Sequence, residues 1–283
     1  MSGPDIPSAS AAAARWRLLE TGPRPGAWNM ACDAALLAAA GLPGFRPTLR
    51  LFAWDPPAVS LGHHQADLTA DEVALLQARG VDWVRRPTGG RAVFHGGPDR
   101  ELTYSVVAPL GEPALSGGAA ESCRAIHGAI AAGLSALGIE VTLAVKTSAR
   151  EVRPGQRRGR TRAVRPTSRR ACFDAAVPSE IEAGGSKLVG SAQRRARGAL
   201  LQHGSIPLDG DQSLLAEIWP GCLGRGRSTT VSAAAGRGMG FGELAAGLRS
   251  GFESWLGAAL EPGALTEPEL AAIEALCCSP AIA

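Results

Sequence analysis

Cys172 stands in Ala171-Cys172-Phe173-Asp174-Ala175, directly after the cationic pair Arg169-Arg170 and upstream of Lys187. Cations beside a cysteine favour the thiolate, which is the form that attacks a carbonyl. The chain holds two lysines, Lys146 and Lys187, and arginine serves for every other basic side chain, so a lysine retained at 187 calls for a chemical reason. A positioned ammonium stabilises the oxyanion that develops when a thioester is attacked. Each residue also has a plainer use: a cysteine serves as a small buried hydrophobe, and a lysine at a strand start is usually solvated.

The second chemical feature is Arg85-Arg86-Pro87-Thr88-Gly89-Gly90-Arg91, followed by Ala92-Val93-Phe94 and His95. A glycine pair between arginines lets backbone approach a ligand closely while the guanidinium groups supply fixed charge. His95 suits either a proton carrier near neutral pH or a structural histidine. His203 and Gly204 lie in Leu201-Gln202-His203-Gly204-Ser205-Ile206, and His63-His64 follow Gly62 as a ligand-facing pair. The cysteine and histidine spacings hold no zinc pattern, so no metal is assigned.

These residues need a scaffold of short elements. Strands are expected over Trp16–Glu20, Thr48–Trp54, Ala58–Gly62, Val81–Arg85, Ala92–His95, Glu101–Val107 and Gly138–Val145. Helices are expected over Asn29–Ala40 (capped by the Asn29 side chain), Leu68–Arg79, Glu121–Leu137, Asp211–Trp219 and Phe241–Leu260. Ser186–Gln193 and Leu201–Ile206 read as two strands of a hairpin with the basic turn Arg194–Arg197 between them. Strands interspersed with helices in this irregular order argue an α+β domain with a mixed sheet. Residues 1–14 are read as a disordered leader, 15–260 as one catalytic domain, 146–170 as a basic mobile insert, and 261–283 as a C-terminal tail with a helix over Glu267–Leu276.

With 283 residues, 45% of them hydrophobic and 19% charged, the composition is that of a soluble globular protein long enough to bury a substantial core. A net charge of +3 is too small to argue for nucleic acid, and the arginine-rich stretch 150–170 has no aromatic residue on which a base would stack. Six scattered cysteines without a C-x-x-C pair fit reduced thiols in a cytoplasm. The sequence has neither a signal-peptide pattern nor a run of about 18 apolar residues, so no membrane span is expected.

Taken together, the Arg86–His95 turn, the Ser186–Gln193 segment and the Leu201–Ile206 segment resemble the lipoate–protein ligase and octanoyl transferase superfamily, whose catalytic domain also underlies biotin ligases. Cys172-Phe173-Asp174 upstream of Lys187 is most similar to the cysteine-dependent octanoyl transferase branch. The resemblance implies a single domain of mixed, mainly antiparallel β-sheet flanked by helices. It implies that Cys172 is the nucleophile and Lys187 a catalytic or substrate-orienting residue, with Arg85, Arg86, Thr88, Gly89, Gly90, Arg91, His95, His203 and Gly204 lining the acyl site. The implied reaction moves octanoyl from acyl carrier protein through a thioester to the lysine of a lipoyl domain, such as the glycine cleavage H protein or a dehydrogenase E2 subunit. No cofactor is implied.

The sequence departs from the family pattern where Gly96–Arg100 separates His95 from Glu101, and in the Arg150–Arg165 insert. Three other activities fit the superfamily: an ATP-dependent lipoate–protein ligase, an octanoyl amidotransferase between lipoyl domains, and a non-catalytic acyl-binding paralogue. Acyl carrier protein and lipoyl domains are acidic, so the cationic insert beside Cys172 is expected to steer them.

Overall fold

A computed structural model describes residues 14–144, 180–222 and 228–278. Cys172 and the basic stretch 146–170 lie outside the described residues. In chain order the elements begin β1 (Ala14–Arg24), α1 (Gly26–Ala39), β2 (Thr48–Trp54), β3 (Ala58–Leu61), α2 (Ala70–Ala78), β4 (Asp82–Arg85), β5 (Val93–His95), β6 (Glu101–Pro109), α3 (Ala119–Ala136) and β7 (Thr142–Ala144). They continue with β8 (Glu180–Ala183), β9 (Ser186–Lys187), β10 (Gly190–Ala196), β11 (Ala199–Pro207), α4 (Ser213–Ile218), α5 (Val231–Ala235), α6 (Phe241–Leu256), β12 (Ala258–Pro262) and α7 (Glu267–Cys277).

The main sheet runs β10-β11-β6-β2-β1-β12. Its first four strands pair antiparallel, and β1 pairs parallel with both β2 and β12. Every residue of β2 is buried, as befits a strand covered on both faces. Side chains alternate between faces along a strand, and this alternation decides where the site lies. Leu49, Leu51, Tyr104, Val106, Leu200 and Ile206 form one core with α3 and α6. On the opposite face Phe52, Trp54, Val107 and Leu201 pack with α1. Arg50, Ser105 and His203 share that second face by register, since Arg50 pairs with Ser105 and Ser105 with His203.

Helices α3 and α6 approach until a Cβ on Gly251 would stand 2.2 Å from the Ala129 carbonyl oxygen. A smaller sheet, β4-β3-β5, carries the glycine turn between β4 and β5. Its β5 edge is closed by the Gln212 carboxamide, which accepts from the Phe94 N–H and donates to the Phe94 carbonyl, both at 2.7 Å. A third sheet, β7-β8-β9, holds Lys187.

Three expectations need correction. The segment Ser186–Gln193 is two strands in different sheets, broken at the buried Leu188-Val189, and the hairpin turn is Arg197-Gly198, because Arg194 to Ala196 still pair with β11. The helix expected over Phe241–Leu260 stops at Leu256, where Gly257 takes a left-handed φ of 62°, and the chain continues as β12 beside β1. Asn29 is inside α1 and caps nothing at the N-terminus: its Nδ2 donates to the carbonyls of Arg24 and Ala53. Beyond Glu261, α7 packs its buried Ile273 with the α1 residues, and Arg17 donates two hydrogen bonds to Glu269.

Candidate active site

The glycine turn is held from within by Arg86. This side chain is buried, and it donates to the carbonyls of Ser60 (3.0 Å), Gly89 (2.8 Å) and Arg91 (2.7 Å). A guanidinium fork is what makes three carbonyls on two segments reachable at once. Gly90 has a φ of 96°, a conformation L side chains avoid. Below it Gly62 is so close that a Cβ there would lie 2.1 Å from the Gly90 carbonyl oxygen. Arg85 faces the other way, donating to the carbonyls of Gly62 and Gln65 and pairing with the exposed Asp67.

Two histidines lie beneath the turn, each with a carboxylate on one nitrogen and a hydroxyl on the other. His95 Nδ1 is 2.7 Å from Glu101 Oε1, and its Nε2 is 2.8 Å from Ser60 Oγ. His203 Nδ1 is 2.8 Å from Asp33 Oδ2, and its Nε2 is 2.6 Å from Thr88 Oγ1. A carboxylate only accepts, so in the neutral form of either ring Nδ1 carries the proton and Nε2 receives a hydroxyl hydrogen. Asp33 is fully buried and also accepts from Arg50 and Ser105, each at 2.9 Å. Burial alone would raise the Asp33 pKa; the His203 hydrogen bond and the Arg50 charge outweigh it and hold the carboxyl below the usual aspartate value. Burial pushes His203 down, despite the Asp33 charge.

His95, His203, Trp54 and Gly204 line a small, mainly apolar cavity of about 30 Å³. Gly204 leaves no space for a side chain, since a Cβ there would stand 2.6 Å from Tyr104 Cε1. Ser191 and Ala192 separate this cavity from a larger one of about 390 Å³, bounded by Gly89, Gly90, Cys123 and Gln202. The two spaces share a wall and meet the same turn.

The structure thus gathers Arg86, Thr88, Gly89, Gly90, Arg91, His95, His203 and Gly204, with Arg85 bracing the outer side. His63 and His64 are exposed and stack edge to face on each other at 4.8 Å. Lys187 is elsewhere, in β9, where it is buried and its Nζ donates to Glu180 at 2.7 Å, so it is no solvated surface lysine. Thr88 and the two histidines were expected; Asp33, Arg50, Ser60, Glu101 and Glu180 were not. One signal was available for Asp33: in Gly26–Ala39 the only polar residues are Asn29 and Asp33, four apart and so on one helix face.

Burial makes several of the described thiols poor nucleophiles, whereas Cys278 is exposed. Burial pushes Cys32 up to about 12 and Cys123 up to about 11. Cys222 is buried and donates to the Leu215 carbonyl. Burial also raises Cys277. Among the described residues no cluster of three or more His, Cys, Asp or Glu side chains is arranged to hold a metal ion, and no helix is long and apolar enough to cross a membrane.

The site is thus a glycine turn closing over a histidine-lined apolar cavity on a mixed sheet flanked by helices. The chain matches the model of the lipoyl protein ligase A/B catalytic domain over residues 25–253. It is 42% identical to octanoyltransferase LipM of Symbiobacterium thermophilum over 264 residues, covering 90% of this chain and 91% of that protein. Octanoyltransferase LipM of Kyrpidia tusciae is 41% identical over 271 residues, covering 92% and 94%. Among solved structures, lipoate-protein ligase A bound with ATP superposes with a TM-score of 0.68 at 24% identity, covering 93% of this chain and 94% of that one. The bipartite lipoate protein ligase of Thermoplasma acidophilum gives 0.65 at 20% identity, covering 93% and 92%; both likenesses speak to fold alone. This chain belongs to the lipoyl protein ligase A/B catalytic-domain family, in its octanoyltransferase branch, and is an acyltransferase.

Proposed function

We propose that this acyltransferase moves octanoyl from acyl carrier protein to Cys172 and then to the lysine of a lipoyl domain. The observation that carries this reading is the likeness, over nine-tenths of both chains, to proteins named octanoyltransferase. Cys32 and Cys123 support the choice of Cys172, because the burial of the one and the part-burial of the other favour their neutral thiols, whereas Cys172 follows Arg169-Arg170.

In the first step the Cys172 thiolate attacks the octanoyl carbonyl, a new C–S bond forms, and the C–S bond to the carrier's phosphopantetheine breaks, releasing its thiolate. One thioester replaces another, so no ATP is needed. In the second, the neutral acceptor amine attacks the acyl-enzyme and the C–S bond to Cys172 breaks. The amine proton passes to solvent as the amide forms, and Cys172 is regenerated as the thiolate. The amide is much more stable than the thioester, which drives the transfer. Lys187, oriented by Glu180, stabilises the oxyanion in both steps, and the space between the glycine turn and Ser191-Ala192 receives the acyl chain.

The test is intact-mass analysis after mixing the full chain with octanoyl-acyl carrier protein in the absence of ATP. One octanoyl group should appear, be released by hydroxylamine, and map to Cys172. Its appearance on another cysteine sinks the assignment. A strict ATP requirement would instead mark a ligase, transfer only from an octanoylated lipoyl domain an amidotransferase, and binding without transfer a non-catalytic paralogue.

A further inference from the structure

Asp33 and Arg50 are both fully buried and form an ion pair beneath the acyl site. Taking two charges out of water is expensive, so such a pair is weak evidence for stability on its own. Arg50 is fixed on every side: it donates to Thr21 Oγ1, to the Asn29 carbonyl and to Asn29 Oδ1, and its guanidinium lies 3.8 Å over the Phe52 ring. It holds Asp33 Oδ1, which Ser105 also engages, while Oδ2 is turned to His203 Nδ1.

We propose that Asp33 is a positioning residue for acyl transfer, fixing His203 in its Nδ1–H tautomer so that Nε2 accepts from Thr88 and ties the glycine turn to β11. The bond spans two sheets, since Thr88 belongs to the turn between β4 and β5 and His203 to β11. The turn bounds the larger cavity and His203 lines the smaller one, so this bond, together with the one that Arg194 of β10 donates to the Pro87 carbonyl, sets their relative placement. Burial most strongly disfavours the protonated His203 ring, Asp33 favours it, and Arg86 from the turn and His95 from β5 disfavour it, the net effect lying toward the neutral ring. With the Asp33 carboxylate accepting at Nδ1, the neutral ring leaves Nε2 as an acceptor. The proposal rests on the octanoyl-transfer reading above.

Long-range ¹H–¹⁵N spectra of the full chain, labelled at its five histidines and assigned with His203→Gln, read the tautomer directly. His203 should show a protonated Nδ1 and a bare Nε2 near neutral pH. Asp33→Asn should populate the Nε2–H form, because a carboxamide can donate to Nδ1. Since Asp33→Asn also leaves Arg50 uncompensated and can fail to fold, the Thr88 series decides independently. Thr88→Val should keep the tautomer yet raise KM for octanoyl-acyl carrier protein about 2- to 12-fold, the weight of one hydrogen bond, while kcat changes less. Thr88→Ser should restore KM. A wild-type chain that accepts no octanoyl overturns the functional reading. A chain that accepts it but carries its His203 proton on Nε2, or has an unchanged KM in Thr88→Val, overturns the positioning role alone.

Discussion

Trp54 and His95 lie face to face, with ring centroids 3.8 Å apart and planes 11° from parallel. The stack is locked by a chain of hydrogen bonds: Trp54 Nε1–H donates to Thr103 Oγ1 at 2.8 Å, Thr103 O–H donates to Glu101 Oε1 at 2.5 Å, and the same carboxylate oxygen accepts from His95 Nδ1–H. One carboxylate thus orients both rings of the cavity wall. Trp54→Ala should cost about 3–5 kcal/mol of stability, as expected for emptying a buried tryptophan site, measured by urea denaturation. Trp54→Phe keeps most of the volume but removes the N–H, so its cost should be clearly smaller. Equal costs would mean that the indole hydrogen bond and not the packing holds the wall.

The glycine turn and its strands were legible because they are local: two arginines, a proline and two glycines sit within a few residues. The carboxylates behind the histidines were not. Asp33 and His203 are 170 residues apart in sequence, and Trp54 and Thr103 are 49 apart. Only the β2-β6-β11 register brings Arg50, Ser105 and His203 to one face, and no local pattern encodes that pairing. The overrun of the Phe241–Leu260 helix has a similar origin. Ala258-Ala259-Leu260 has the composition of a continuing helix, and what makes it a strand is the open edge of β1 beside it.

Arg50→Met should destabilise the protein by about 3–5 kcal/mol, because it leaves the Asp33 carboxylate buried without its main counter-charge. The pH dependence carries the sign. With its folded pKa below the unfolded value, Asp33 contributes stability that is present above about 3.9 and is lost as pH falls through the folded value. Without Arg50 the folded pKa rises, so Arg50→Met should lose stability at a higher pH than wild type. Urea midpoints between pH 3 and 7 measure this, and parallel curves would show that Arg50 does not hold the Asp33 charge.

Cys32 and Cys123 should resist alkylation by iodoacetamide at pH 7, since burial holds both as thiols with values raised to about 12 and about 11 from 9.0. For a raised pKa the folded state keeps the proton longer than the unfolded chain. Their contribution to stability is therefore complete below about 9 and falls away as pH climbs toward 11 and 12. Mass mapping of alkylated peptides checks the first part and thermal midpoints from pH 7 to 10.5 the second. Rapid labelling of Cys123 in the folded protein at neutral pH would contradict the burial that the larger cavity's wall imposes.

Gly62 and Gly89 make opposite predictions from similar-looking residues. An added methyl group at Gly62 meets the Gly90 carbonyl oxygen at 2.1 Å, and the atoms it strikes are backbone, which cannot rotate away. An added methyl at Gly89 meets nothing within 4 Å and needs no left-handed φ. Gly62→Ala must push the turn outward, stretching the bonds that Arg86 makes to Gly89 and Arg91 and the bond that Thr88 makes to His203. Overpacking of this kind costs about 1–3 kcal/mol, and the displaced turn should slow octanoylation more than tenfold. Gly89→Ala should stay within about 0.5 kcal/mol of wild type and retain most of its acylation rate. Urea midpoints and single-turnover acylation on the two variants measure both effects. If Gly62→Ala acylates like wild type, the turn yields freely and its close seat on β3 does not shape the site; if Gly89→Ala is the inactive one, the acyl group itself passes over that glycine.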